Sequence, residues 1–109
     1  MERVTTTDEF NEAVVRAEGP VLTLFYAGWC GYCQDFLPLF RATDAGTVKK
    51  IEVDISEEIN PLWDTYVIQV VPTLILFEGE TVLGRADGTL GKGLTQTDLD
   101  EILAGPREA

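Results

Sequence analysis

Apolar residues along this chain follow two rhythms. Phe10, Ala13, Val14 and Ala17 recur at helical spacing, whereas Val21-Leu22-Thr23-Leu24-Phe25-Tyr26-Ala27 is a short, almost unbroken run rich in strand formers. The first reads as a helix. Thr6 with Glu9 forms a capping box ahead of it, and Gly19-Pro20 ends it. The second reads as a central strand buried on both faces. Gly28-Trp29 then makes a turn, and Cys30 opens a helix whose apolar positions are Phe36, Leu37, Leu39 and Phe40. Pro38 lies inside that helix, removes one backbone hydrogen bond and bends it.

Beyond Gly46 the pattern alternates from Val48 to Ile55, which predicts another strand. Asn60 caps a short helix reaching Tyr66, with Pro61 at its first position. Thr73 to Phe77 and Thr81 to Arg85 read as strands joined by a hairpin turn at Glu78-Gly79-Glu80. Gly84, Gly88, Gly91 and Gly93 loosen the next stretch. Thr95 or Thr97 then caps a last helix through Leu99, Ile102 and Leu103, stopped by Gly105-Pro106. The order βα-βα-ββα predicts an α/β domain. Its mixed central sheet has roughly four to five strands, with helices on both faces. No repeat, linker or low-complexity tract interrupts residues 1–109, so the chain reads as one domain.

Charge narrows the partners. The formal net charge is −11, with 19 acidic residues against 8 basic ones. That balance lacks the basic face that phosphate binding needs, so neither nucleic acid nor an anionic membrane surface is an expected partner. A solvated surface accounts for the acidity, and a high-salt cytoplasm is the sharper reading. With no histidine, any His-based metal or acid–base site is excluded. The apolar runs are shorter than a membrane span needs, and Met1 to Thr6 has no apolar core of a secretory leader. The expected place is therefore the cytoplasm, where a lone dithiol is kept reduced or cycles.

Cys30-Gly31-Tyr32-Cys33 holds the only two cysteines. An inert structural disulfide and half a zinc site both fit a bare C-x-x-C, although zinc takes four ligands and only two thiols are offered. Placement favours redox chemistry. A strand that delivers the motif to a helix N-terminus sets two thiols one turn apart, and unpaired N–H groups favour negative charge on the first sulfur. The arrangement makes a nucleophile, Cys30, with a resolving partner, Cys33, beside it. Gly31 and Tyr32 sit over the first sulfur, where a phenol can act as a contact aromatic or donate a hydrogen bond to the thiolate. Lys50 and Glu52 share one strand face. Either a solvated pair or an approach to the buried side of the motif fits them.

Phe25-Tyr26-Ala27-Gly28-Trp29-Cys30-Gly31-Tyr32-Cys33, Pro38 five residues after the second cysteine, and Val71-Pro72-Thr73 before the hairpin together resemble the thioredoxin family, over nearly the whole chain. Within it, Phe25-Tyr26-Ala27 and the non-proline Tyr32 look more like protein disulfide isomerase domains. The resemblance implies a thioredoxin fold and dithiol–disulfide exchange with protein disulfides, without a bound cofactor or metal. It implies a disulfide reductase as electron donor and a monomeric protein. By position, Cys30 is the attacking thiol and Cys33 the resolving one. Pro72 is the cis-proline facing them, and Trp29, Val71 and Gly88 fall on the apolar substrate-contact rim. The expected direction is reduction of the client. An oxidase or isomerase direction, or a peptide-binding module without turnover, are the alternatives.

Three positions depart from the family pattern. The buried acid six residues before the first cysteine is Leu24, which removes the usual proton acceptor for the second thiol. Val70 replaces a glycine two residues before Pro72, so the backbone approach there is expected to tighten. Asp87 places a negative charge beside Gly88, where the family is apolar.

Overall fold

The computed structural model describes residues 1–105. Its strands are β1 (Glu2–Val4), β2 (Pro20–Tyr26), β3 (Lys49–Asp54), β4 (Thr73–Glu78) and β5 (Thr81–Asp87). Its helices are α1 (Thr7–Phe10), α2 (Gly31–Ala42), α3 (Leu62–Thr65) and α4 (Gln96–Ala104). One five-stranded sheet runs in the order β1-β3-β2-β4-β5. β1 and β2 lie parallel to β3, while β4 is antiparallel to both β2 and β5. The expected mixed sheet is therefore present.

Both faces of the sheet are covered, and strand alternation divides the core accordingly. Leu22, Leu24, Tyr26, Leu74 and Leu76 meet Cys33, Phe36, Leu37 and Phe40 of α2 and Leu99, Ile102 and Leu103 of α4. Val21, Phe25, Ile51, Val53, Ile75 and Phe77 meet Phe10, Val14 and Leu62 on the opposite face. Phe10, Phe25, Tyr66 and Phe77 form an aromatic cluster there, with ring centroids 5.0–5.9 Å apart. Thr23, buried within β2, donates its hydroxyl to the Ile75 carbonyl at 2.8 Å.

Local signals place most boundaries. The Thr6–Glu9 capping box forms, and Thr95 caps α4 with Asp98 completing a second box. Gly79, at φ +60°, turns the hairpin. Several details differ from the sequence expectation. The first helix widens to π spacing over Asn11–Val15 after a single α-turn. The third starts at Leu62 with Pro61 as its cap, and Asn60 Oδ1 accepts the Leu62 N–H at 3.0 Å. β5 runs on to Asp87, with a register shift opposite Leu76/Phe77. β1 was not expected at all. It has three residues, of which only Val4 is buried, so it has too little apolar pattern to read. Pro106, expected to stop the last helix, lies outside the described residues.

Candidate functional site

The C-terminal ends of the parallel strands define one edge of the sheet, where an open α/β sheet presents its ligand site. From β2 the chain enters a tight turn, with the Cys30 N–H donating to the Ala27 carbonyl at 3.2 Å, and α2 begins immediately after. Cys30 is the N-cap of α2. Its sulfur accepts the Cys33 N–H at 3.2 Å, the bond an N-cap serine or aspartate would make. Negative charge on that sulfur is therefore met by an N–H and by the positive end of a twelve-residue helix.

The two thiols are free but differently placed. Cys33 is fully buried, whereas Cys30 keeps 8% of its surface. Both residues are thus buried, Cys30 the less completely of the two. Burial, followed by the neighbouring Cys30, pushes the Cys33 thiol well above the ordinary range, and the Ala27 backbone offsets only part of this.

The segment before β4 closes over the pair. Val71–Pro72 is a cis peptide, and Cys30 Sγ donates to the Val71 carbonyl at 3.5 Å. Gly88 lies directly behind Pro72 and donates its N–H to the Pro72 carbonyl at 2.9 Å. A Cβ at Gly88 would sit 2.6 Å from that oxygen, so only glycine fits the approach. Val70 is accommodated half-buried, with its carbonyl accepting the Thr73 hydroxyl at 2.8 Å.

Trp29 and Tyr32 flank the sulfur as exposed aromatics, 62% and 45% accessible. Gly31 is exposed between the thiols. Tyr32 packs against the 88–93 loop, where a Cβ on Gly93 would meet Tyr32 Cβ at 3.0 Å. Among the described residues its hydroxyl makes no hydrogen bond to Cys30. Trp29, Val71, Pro72 and Gly88 thus gather at one edge of the sheet with the two cysteines.

The charged positions resolve differently from a solvated pair. Glu52 is buried at 2% and faces α2, where Arg41 holds it through two bonds of 2.7 and 3.0 Å. Lys50 donates to the Phe40, Arg41 and Thr43 carbonyls at 2.7, 3.0 and 2.5 Å, closing the C-terminus of α2. Neither reaches Cys33. Asp87 does not carry a free charge, because Arg85 Nε lies 2.6 Å from its carboxylate. The same guanidinium binds the Tyr66 and Val67 carbonyls at 2.6 and 2.8 Å, across the strained turn where Val67 takes φ +51°. That clamp was missed in the sequence. Arg85 and Asp87, two apart on one strand, were its available signal.

Comparison with known proteins agrees with this geometry. The thioredoxin family model matches residues 2–101. A thioredoxin of Mycolicibacterium smegmatis is 34% identical over 103 residues, covering 90% of this chain and 91% of that protein. Thioredoxin Y1, chloroplastic, of Arabidopsis thaliana is 35% identical over 104 residues, and the chain spans 60% of its length. The structure of thioredoxin f from spinach chloroplast superposes with a TM-score of 0.79 at 24% identity, covering 97% of this chain and 92% of that one. With the family model matched over residues 2–101, a cysteine at the helix cap and a buried second cysteine, the chain belongs to the thioredoxin family of thiol–disulfide oxidoreductases.

Proposed function

We propose that this protein reduces disulfides in client proteins in the cytoplasm, as a monomer re-reduced by a separate disulfide reductase. The asymmetry of the two thiols carries the reading. Cys30 caps α2 and keeps some accessible surface, while Cys33 is sealed beneath it.

In the first step the Cys30 thiolate attacks one client sulfur. A Cys30–client disulfide forms, the client disulfide breaks, and the second client sulfur leaves as a thiolate. In the second step Cys33 loses its proton and attacks the Cys30 sulfur. The intramolecular disulfide forms, and the remaining client sulfur leaves as a thiolate. Two electrons pass to the client, and the reductase returns two. The cis Val71–Pro72 segment offers backbone groups to an extended client strand, and Trp29, Tyr32 and Gly88 supply the surface around it.

A redox titration against glutathione and dithiothreitol buffers tests the direction. A reductant falls near the thioredoxin value of about −270 mV, and an isomerase-like protein near about −180 mV. A potential near about −120 mV would mark an oxidant and overturn the proposal.

A further inference from the structure

Trp29 presents most of its ring to solvent, yet its indole is tied down. Its Nε1–H donates to the Ser56 carbonyl at 2.9 Å. Ser56 lies in the loop after β3, and all its polar groups are engaged. Its hydroxyl accepts the Gly28 N–H at 2.8 Å and donates to Asp54 Oδ1 at 2.5 Å, while its own N–H donates to the same oxygen at 2.9 Å. One hydroxyl proton fixes the polarity. With the hydroxyl proton directed at Asp54, a lone pair faces the Gly28 N–H.

Trp63 pins the same loop as well. Its indole N–H reaches the Ile55 and Glu57 carbonyls at 2.9 and 3.2 Å. Two indoles therefore occupy three consecutive carbonyls. The turn is held at its far side as well, because Gln34 Nε2 donates to the Gly28 carbonyl at 3.3 Å.

We infer that Ser56 is a positioning residue for client exchange. Through its hydroxyl it sets the distance between the 55–57 loop and the Gly28–Trp29 turn, so that the exposed indole stands ready beside Cys30 before a client arrives. A ring fixed in advance loses less freedom on binding, so the benefit falls on client affinity rather than on the sulfur chemistry. This rests on the proposed exchange activity, but it carries a readout that does not need it.

Replacing Ser56 by Ala keeps the carbonyl and removes the bridge to Gly28 and Asp54. In the Ser56→Ala protein the Trp29 indole N–H should exchange with solvent at least threefold faster by NMR, while the Trp63 signal stays unchanged. KM for reduction of insulin should rise three- to tenfold with kcat within twofold. Ser56→Thr should restore both. Unchanged Trp29 exchange, or a fall in kcat equal to the rise in KM, would overturn the assignment. A protein that reduces no insulin at all would sink the exchange reading, and the indole exchange would still decide the role of Ser56.

Discussion

Leu24 and Glu52 are register partners across β2 and β3, side by side on the face that α2 covers. The family's acid position is thus apolar, and a buried carboxylate stands one strand away. Arg41 binds both oxygens of that carboxylate, and among the described residues no hydrogen bond joins it to Cys33. Resolution then depends on the ionisation of Cys33 itself, which burial makes difficult. The mixed disulfide of the unmodified protein should resolve faster as pH rises from 7 to 10. Leu24→Asp should move that acceleration to lower pH, while destabilising the fold by about 1–3 kcal/mol or more. Stopped-flow decay of a pre-formed mixed disulfide measures this. A rate flat between pH 6 and 9 would mean that another base serves.

Glu52→Gln separates the neighbouring carboxylate from the chemistry. It should leave the pH dependence of resolution in place and lower stability by about 1–2 kcal/mol, a modest loss because Arg41 is half exposed. A resolution rate that becomes pH-dependent only in this variant would identify Glu52 as the acceptor after all.

What could be read in advance followed from how local each signal is. β2, α2 and the Thr6–Glu9 capping box depend on residues within a turn of one another, so their pattern survives in the sequence. β1 depends on pairing with β3, some fifty residues away, and shows only Val4 as a buried mark. At the site, the motif and Pro72 were legible. Ser56 was not, because a loop serine has no periodicity and its partners Gly28 and Trp29 lie far back in the chain. Asp87 was legible as a charge but not as a neutralised one, since Arg85 faces it only once the strand is formed.

That pairing leads to a prediction about client charge. Asp87→Asn should change the ratio of exchange rates for basic and acidic model peptides by less than twofold, because Arg85 already offsets the carboxylate. The remaining preference for basic peptides should come from the −11 net charge and fade with salt, over a screening length of about 8–10 Å. Arg85→Met should act more strongly, since it frees Asp87 and leaves the Tyr66 and Val67 carbonyls without their donor. A loss of about 1–3 kcal/mol in urea denaturation is expected. A larger effect from Asp87→Asn than from Arg85→Met would contradict this account.

Gly88 tests the wall behind Pro72. Gly88→Ala forces a Cβ to within 2.6 Å of the Pro72 carbonyl, so the backbone there must shift. Destabilisation of about 1–3 kcal/mol is expected, together with slower client reduction. An alanine variant as stable and as active as the parent would show that the approach is not constraining.

The division of labour between the thiols is tested by trapping. Cys33→Ser should accumulate a mixed disulfide with clients on non-reducing gels, because Cys30 still attacks and nothing resolves it. Cys30→Ser should accumulate none, since Cys33 is fully buried. Equal trapping by both variants would mean that either sulfur can reach the client.

The raised thiol also sets a pH dependence of stability. Burial holds the Cys33 proton more tightly in the folded than in the unfolded state, where the thiol titrates near about 8.5. The folded form therefore keeps a proton that the unfolded form loses. This contribution is fully present below about pH 8.5 and falls as pH rises towards the folded value, by up to about 1.4 kcal/mol per pH unit. Tyr26 and Tyr66 are raised by burial too and act in the same sense at higher pH. Comparison of the reduced protein with its Cys33→Ala variant removes their share. The stability difference between the two, from urea denaturation, should be constant from pH 6 to 8 and shrink from pH 9 to 10. A difference constant up to pH 10 would show that the buried thiol is no harder to ionise in the fold than in the open chain.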